Sequence, residues 1–119
     1  MANAAEKKWM ETVSNWYENT GFSNGVLNEY QYDRHHVTGR KSKHNKVAIG
    51  HWFILPIPKR YHDVDSNNPF NVTHYRHIFT LEFGLQSELF KEMIESMVNL
   101  GAVLPFGDDV INSIMDTRR

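Results

Sequence analysis

Two adjacent histidines, His35 and His36, stand directly before a basic run over residues 37–46, which is followed by an apolar run over residues 47–57. A neutral imidazole binds borderline divalent metals, and it exchanges protons near neutral pH. Two neighbouring imidazoles can therefore divide the work of phosphodiester hydrolysis, one holding a cation and the other taking a proton from water. At the end of a strand their side chains would point to opposite sides. The pair alone does not decide which does which, and an isolated histidine pair is commonly a surface feature without a role.

Three later histidines are candidate metal ligands. His62 follows the apolar run, and His74 and His77 are three residues apart, so that they would share one face if this segment is a helix. Two nearby acids, Asp63 and Asp65, could bind a metal as well. Asp63 could instead orient His62 by accepting a hydrogen bond from its ring.

Positive charge is concentrated around these histidines. From Arg34 to Arg76 the chain carries eight cations and two acids, a local charge of +6, while the remainder carries −7. Such a patch is typical of a polyanion site, although a run of lysines can serve solubility alone. Its coincidence with the histidines favours the polyanion site. We interpret His44, in the basic run, as a phosphate contact at most, and His51 as a packed or surface residue of a strand.

The composition predicts one small domain over residues 1–119. A chain of 119 residues with 40% hydrophobic content can bury one modest core. Because there is no cysteine, any metal must be held by histidine, carboxylate or amide groups. No apolar run approaches the roughly 18 residues of a membrane span, and the first residues lack the apolar segment of a secretory signal. We therefore expect a soluble, cytoplasmic protein without a membrane partner.

The apolar pattern predicts an α+β fold in the order helix, β-hairpin, helices. Helical spacing indicates an N-terminal helix over 3–19. A short strand over 27–34 would end close to the histidine pair, and a second strand over 47–55 would be stopped by Pro56 and Pro58. The basic run would join these strands as a loop, which we call the basic loop, and the strands would form a long-looped hairpin.

The second half of the chain is predicted to be helical. Thr73 is expected to cap a helix that ends at Gly84. Apolar periodicity predicts two further helices over 86–99 and 108–117, the last one capped by Asp108.

The motifs between residues 32 and 90 occur in a characteristic order: HHVTGR, the basic loop, HWFILPI, RYH, NVTHYRH and FTLEFGLQSELF. In this order the chain resembles the His-Me finger (HNH, ββα-metal) nucleases, and it is most similar to the phage recombination-enhancement nucleases and their prophage relatives. The resemblance implies a ββα-metal core over about 28–84, made of the hairpin and a helix. The helices over 3–19, 86–99 and 108–117 would flank this core.

The resemblance also implies roles for single residues. His36 would be the general base, and the asparagine that orients the base would be Asn71 or Asn68, or would be absent. The family pattern often has two ligand histidines four residues apart in its closing helix, but here the second position is Ser66. The implied ligands of one divalent ion (zinc, magnesium, manganese or nickel) are His35, His62 and His74, with His77 in reserve.

The resemblance also implies that cations of the basic patch contact DNA. Contacts with backbone phosphates position DNA without reading its sequence, so low sequence specificity is expected. The cations concerned are Arg34, Arg40, Lys41, Lys43, Lys46 and Arg76. The resulting hypothesis is a metal-dependent DNA endonuclease of phage or prophage recombination, acting in a bacterial cytoplasm and open to recruitment by a recombinase filament.

Two alternatives stand beside this hypothesis. The first is a nucleic-acid-binding module in which histidines hold a structural metal and no cleavage occurs. The second is a mononuclear metalloenzyme with four histidines as its cage that acts on a small molecule. The small-molecule enzyme would leave the local charge of +6 without a purpose.

Overall fold

The computed structural model describes residues 2–65 and 67–119, which form five helices and two antiparallel two-stranded sheets. The predicted α+β class is confirmed. In chain order the elements are α1 (Ala4–Asn19), β1 (Tyr32–His36), β2 (Lys43–His44), β3 (Val47–Ala48), β4 (Ile54–Pro58), α2 (Lys59–His62), α3 (Arg76–Phe83), α4 (Gln86–Asn99) and α5 (Asp108–Asp116), and a single 3₁₀ turn spans Gly25–Leu27. Ser66, the departure from the family's ligand pattern, lies outside the described residues.

The N-terminal helix α1 confirms the prediction and supports the strand that carries the site. Asn3 and Glu6 form a capping box, in which each side chain accepts a hydrogen bond from the other residue's backbone N–H. Its apolar face packs against β4. The indole of Trp9 donates to the carbonyl oxygen of Trp52 at 3.0 Å, which ties α1 to the segment just before β4.

The histidine pair lies on a hairpin formed by β1 and β4. These strands are antiparallel, with His35 opposite Leu55 and His36 opposite Ile54. All five residues of β4 are buried, so the hairpin is fixed to the core along its whole inner strand. The first strand begins at Tyr32, later than predicted, and Leu27, where the predicted strand starts, instead ends a 3₁₀ turn in which Asn24 accepts a hydrogen bond from the N–H of Val26.

The prediction of one strand over 47–55 is wrong. Residues 47–48 pair with 43–44 in a small separate hairpin, and the chain then turns before β4 begins at Ile54. The turn is closed by the backbone N–H groups of Trp52 and Phe53, which both donate to the carbonyl oxygen of Ile49. A continuous apolar run therefore serves two elements, and its apolar side chains do not reveal the break.

Pro56 and Pro58 were predicted to stop the second strand, but both lie inside β4. Just beyond the strand, the N–H of Lys59 donates to the carbonyl oxygen of Gln31, which marks that pair as hydrogen-bonded. Hydrogen-bonded and non-hydrogen-bonded pairs alternate along an antiparallel ladder. Both prolines consequently occupy non-hydrogen-bonded positions, where no backbone N–H is required.

The backbone of the basic loop packs tightly against the segment that leads into β4. A Cβ atom at Gly50 would lie 2.2 Å from the carbonyl oxygen of Arg40, so this position admits only glycine without a shift of the loop. The N–H of Gly50 also donates to the carbonyl oxygen of Ser42. The backbone that carries Arg40 is therefore held in place by the segment leading into β4.

The tip of the loop is attached to α5. Asn45 and Lys46 have positive φ angles of 52° and 66°, the conformation of a tight two-residue hairpin turn. His44 Nε2 and Asn45 Nδ2 lie 2.9 and 3.0 Å from a carboxylate oxygen of Asp116. His44, interpreted from the sequence as a phosphate contact at most, thus binds a carboxylate of the protein itself.

The helix α3 begins at Arg76, later than predicted, and Thr73 does not cap it. The side chain of Asn71 accepts hydrogen bonds from the N–H groups of Thr73 and His74 and holds these residues in a turn. His74 therefore lies before the helix and His77 within it, and they do not share a helix face. The helix ends at Gly84 as predicted, with a φ of 93°.

The last two helices confirm the predictions over 86–99 and 108–117. The buried face of α4 contacts both β4 and α5. The N-cap of α5 is Gly107, whereas Asp108 is the first helical residue and forms no cap. No helix in the described ranges combines the length and the apolar character that crossing a bilayer requires.

Candidate functional site

The histidine pair opens into a cleft of about 760 Å³, which we call the histidine cleft. Its walls come from β1, the start of the basic loop, α2, the turn before α3, the first residue of α4 and the last residue of the chain. The described lining contains three histidines and four arginines but no acidic side chain. These residues are His35, His36, His62, Arg34, Arg40, Arg76 and Arg119.

His35 is the buried member of the pair, with 9% of its surface exposed. Its Nε2 lies 3.0 Å from Oε1 of Gln86, the first residue of α4. Burial, followed by the charge of His62, lowers the pKa of His35 to about 4. The ring is consequently neutral at pH 7, which is the form that can bind a metal.

His62 lies beside His35, with 4.8 Å between the ring centroids. Its Nδ1 is 2.9 Å from a carboxylate oxygen of Asp33. Burial raises the pKa of Asp33, but the hydrogen bond to His62 and the charge of Lys59 outweigh burial and leave this pKa below its ordinary value. A carboxylate on Nδ1 fixes the tautomer and leaves Nε2 of His62 as the atom available to a metal.

The carboxylate that orients His62 is thus that of Asp33. The sequence had suggested Asp63 for this role. Asp33 precedes the histidine pair on β1, and the adjacent strand β4 leads directly into α2, which carries His62. The carboxylate of Asp63 instead accepts a hydrogen bond from the N–H of Asp65. The orienting contact depends on strand pairing and has no signal in local spacing.

His36 makes its hydrogen bond with another histidine. Its Nε2 lies 3.3 Å from Nδ1 of His51, and the two rings are nearly perpendicular at 81°. Burial, followed by the charges of His51, Arg40 and Arg34, lowers the pKa of His36 to about 4. When the neutral ring donates through Nε2, its Nδ1 carries a free lone pair that can accept a proton.

His51 is a residue whose part in the site the sequence did not reveal. It lies in the turn between β3 and β4, three residues before Ile54, the partner of His36 in the ladder. The register of the hairpin would have placed it near His36. An apolar run with a single histidine does not disclose that register, so His51 was interpreted as a packed or surface residue.

The structure does not bring His74 or His77 to the histidine cleft. His74 is exposed, and its Nε2 lies 2.9 Å from the carbonyl oxygen of Val64. His77 is exposed on α3 and lines a neighbouring cleft. Within residues 2–65 and 67–119, no three histidine or carboxylate side chains are grouped so as to hold a metal ion. Of the four predicted ligands, only His35 and His62 lie together.

Asn71 is fully buried and serves the turn before α3. Its amide nitrogen donates to the carbonyl oxygen of Asp63 at 2.9 Å, and its oxygen accepts the two backbone bonds described above. Asn68 likewise accepts a bond from the N–H of Phe70. None of these bonds joins Asn71 to His36, whose ring nitrogen contacts His51.

The predicted phosphate-binding cations divide into two groups. One group faces the histidine cleft, where Arg119 joins the predicted Arg34, Arg40 and Arg76. The other group lies on the basic loop, where Lys41 and Lys43 line an adjoining cleft and Lys46 is exposed at the tip. Arg119 lies far along the chain from the basic patch, which is why a local count of charge did not include it.

A second large cleft of about 580 Å³ has a different character. Its described lining includes three tyrosines and two carboxylates, Glu18 and Glu29, but no histidine. Its charge disfavours a polyanion. The groups suited to hydrolysis are therefore concentrated in the histidine cleft.

No protein-family model matches the chain, and comparisons with curated proteins and with solved structures gave no match.

Proposed function

We propose that the protein is a metal-dependent endonuclease that hydrolyses phosphodiester bonds of DNA with low sequence specificity. One observation carries this proposal: the histidine cleft brings His36, whose ring contacts His51, next to the His35–His62 pair, and its described lining has four arginines and no acidic side chain. The arginines attract a polyanion, and the two histidine pairs supply a base and a candidate metal site.

The arginines position the phosphate. Arg34 and Arg40 are close enough to His36 to lower its pKa by their charge. A phosphate held between them would lie beside the base, and the same cations would stabilise the charge that develops on the phosphate oxygens. Because these contacts are made to the backbone of DNA, the proposal predicts little sequence preference.

His36 accepts the proton of the attacking water on Nδ1, while Nε2 remains bonded to His51. With a pKa of about 4, the imidazole is neutral at pH 7 but a weak base. Entry of a phosphate would offset the charges of Arg34 and Arg40 and so raise the pKa of His36 toward its ordinary value. Substrate binding would thus strengthen the base at the place where it is needed.

His35 and His62 are the residues that would hold the metal. Both are imidazoles suited to a borderline divalent ion, their rings are adjacent, and Asp33 fixes the tautomer of His62. A bound divalent ion would supply Lewis-acid stabilisation of the negative charge on the phosphate. A closed structural site usually has four protein ligands, whereas two histidines leave positions open. This difference favours the nuclease over a binding module with a structural metal.

The other elements of the hypothesis depend on the family resemblance. They are an origin in phage or prophage recombination, action in a bacterial cytoplasm and recruitment by a recombinase filament. The charge of the histidine cleft supports the DNA-binding part alone. The small-molecule metalloenzyme has less support, because the described residues do not assemble its four-histidine cage.

Nicking of supercoiled plasmid tests the proposal. Wild type is assayed with magnesium, manganese, nickel and zinc, and with a chelator, beside His36→Ala and His74→Ala. We expect divalent-dependent nicking by wild type and a loss of roughly 10²- to 10⁴-fold in His36→Ala, the range for removal of a general base. His74→Ala is the matched control and should keep its activity, since His74 lies outside the histidine cleft. Intact plasmid with all four metals would favour the binding module.

A further inference from the structure

Two smaller clefts adjoin the histidine cleft, and each shares cations with it. On the loop side, Arg40 also lines a cleft of about 210 Å³ together with Lys41 and Lys43. The second of these clefts, of about 390 Å³, is also lined by Arg76 and Arg119 and includes His77 and Arg118. The three clefts are thus connected through shared arginines.

The cations of the second of these clefts lie close together. Partial burial, followed by the charge of Arg76, lowers the pKa of Arg119. Among the residues that the structure describes, no ion pair joins a carboxylate to Arg76, Arg118 or Arg119. Like charges in proximity raise the free energy of the protein, and a bound anion would lower it.

The positions of these arginines are fixed by backbone contacts to the site. The backbone oxygen of Arg119 accepts a hydrogen bond of 2.7 Å from the N–H of Gln86, the residue whose side chain contacts His35. The preceding helix also holds the tip of the basic loop, through the bonds of His44 and Asn45 to Asp116. Both outer clefts are therefore tied to α5.

Two acids near this surface are already hydrogen-bonded within the protein. Asp116 is occupied by His44 and Asn45. Glu6 lines the loop-side cleft, but its carboxylate accepts the hydrogen bond of the α1 capping box. The surface formed by the three clefts consequently presents its cations to solvent.

We propose that the three clefts form one continuous track for a polynucleotide backbone. The scissile phosphate lies at His36, and flanking phosphates lie at Lys41 and Lys43 on one side and at Arg118 and Arg119 on the other. This inference rests on the proposed nuclease function. It assigns phosphate contacts to the last two arginines, and it requires a substrate that extends on both sides of the cleaved bond.

The test compares a long substrate with a short one. Arg118→Gln removes the charge of a residue that lines only the outer cleft, and Arg118→Glu reverses it. Lys91→Gln, at an exposed lysine of α4, is the matched control. Each variant is assayed on duplex DNA and on bis(4-nitrophenyl) phosphate, a diester without flanking phosphates, and DNA affinity is measured against salt in the His36→Ala background.

For Arg118→Gln we expect the DNA affinity to fall roughly fivefold and the slope of log affinity against log salt to decrease by about 0.9, the change for one lost duplex phosphate contact. Arg118→Glu should have a larger effect, and Lys91→Gln none. Hydrolysis of the small diester should be unchanged in all three variants.

Unchanged DNA affinity and salt slope in both Arg118 variants would overturn the track. A loss of small-diester hydrolysis in these variants would also overturn it, because Arg118 would then act at the reacting phosphate. If wild type cleaves neither substrate, the proposed function fails. The affinity measurements would still decide whether the track exists.

Discussion

Replacement of His35 by glutamine should flatten the pH dependence of stability in the metal-free protein. His35 is buried against Gln86, and glutamine is neutral at every pH while offering an amide that can bond to Gln86. The variant therefore removes one buried titrating group while keeping a polar side chain in its place. Its effect isolates the contribution of His35 to acid sensitivity.

The magnitude follows from the pKa of His35, which is about 4 in the native protein and 6.5 ordinarily. Above pH 6.5 the ring is neutral in both states, and its contribution to stability is fully present. As the pH falls from about 6.5 to about 4, the unfolded chain binds a proton that the native protein does not, so stability decreases. At about 1.4 kcal/mol for each pH unit, the total loss from His35 is about 3 kcal/mol.

The assay is urea denaturation between pH 4 and pH 7.5 in the presence of a chelator. The free energy of unfolding of wild type should fall more steeply toward acid than that of His35→Gln. Some acid sensitivity should remain in the variant, because the native pKa of His36 is lowered in the same direction. His77→Gln is the control for replacing a histidine at an exposed position. If His35→Gln follows wild type in parallel over the whole range, the reasoning about His35 is refuted.

Three further predictions test single contacts of the site. Asp33→Asn should weaken divalent metal binding about 10- to 100-fold in calorimetric titration, because it removes the carboxylate that fixes His62; unchanged affinity would argue against this role. His51→Ala should lower the kcat of DNA cleavage while metal affinity stays the same, and an unchanged kcat would show that His36 needs no such partner. Gly50→Ala should destabilise the fold by about 1–3 kcal/mol in thermal melts and weaken DNA binding, since the new Cβ displaces the backbone of Arg40. A Gly50→Ala protein with wild-type stability would contradict the close approach seen there.

The elements that the sequence predicted well are those encoded locally. Helices α1, α4 and α5 follow from apolar periodicity, which needs no knowledge of the rest of the chain. The start of β4 and the tolerance of Pro56 within it depend on the parity of pairing with β1, a property of two segments together. The late start of α3 likewise follows from the hydrogen bonds of Asn71, which compete with a first helical turn.

The candidate site divides in the same way. The sequence alone places His35, His36 and Arg34 together, because they are neighbours on one strand. Asp33 contacts His62, and His51 contacts His36, only because the hairpin and its turn bring these residues together. Spacing along the chain therefore could not reveal either contact.

Chemical rescue of His36→Gly tests the central claim most directly. The single-turnover rate of DNA cleavage is measured for wild type and for the variant, with and without added imidazole, at saturating metal. The proposed role of His36 predicts a large loss of rate in the variant and partial recovery with imidazole, which can enter the space left by the side chain and accept the proton. Cleavage by His36→Gly at the wild-type rate, or no cleavage by wild type with any divalent metal, would contradict it.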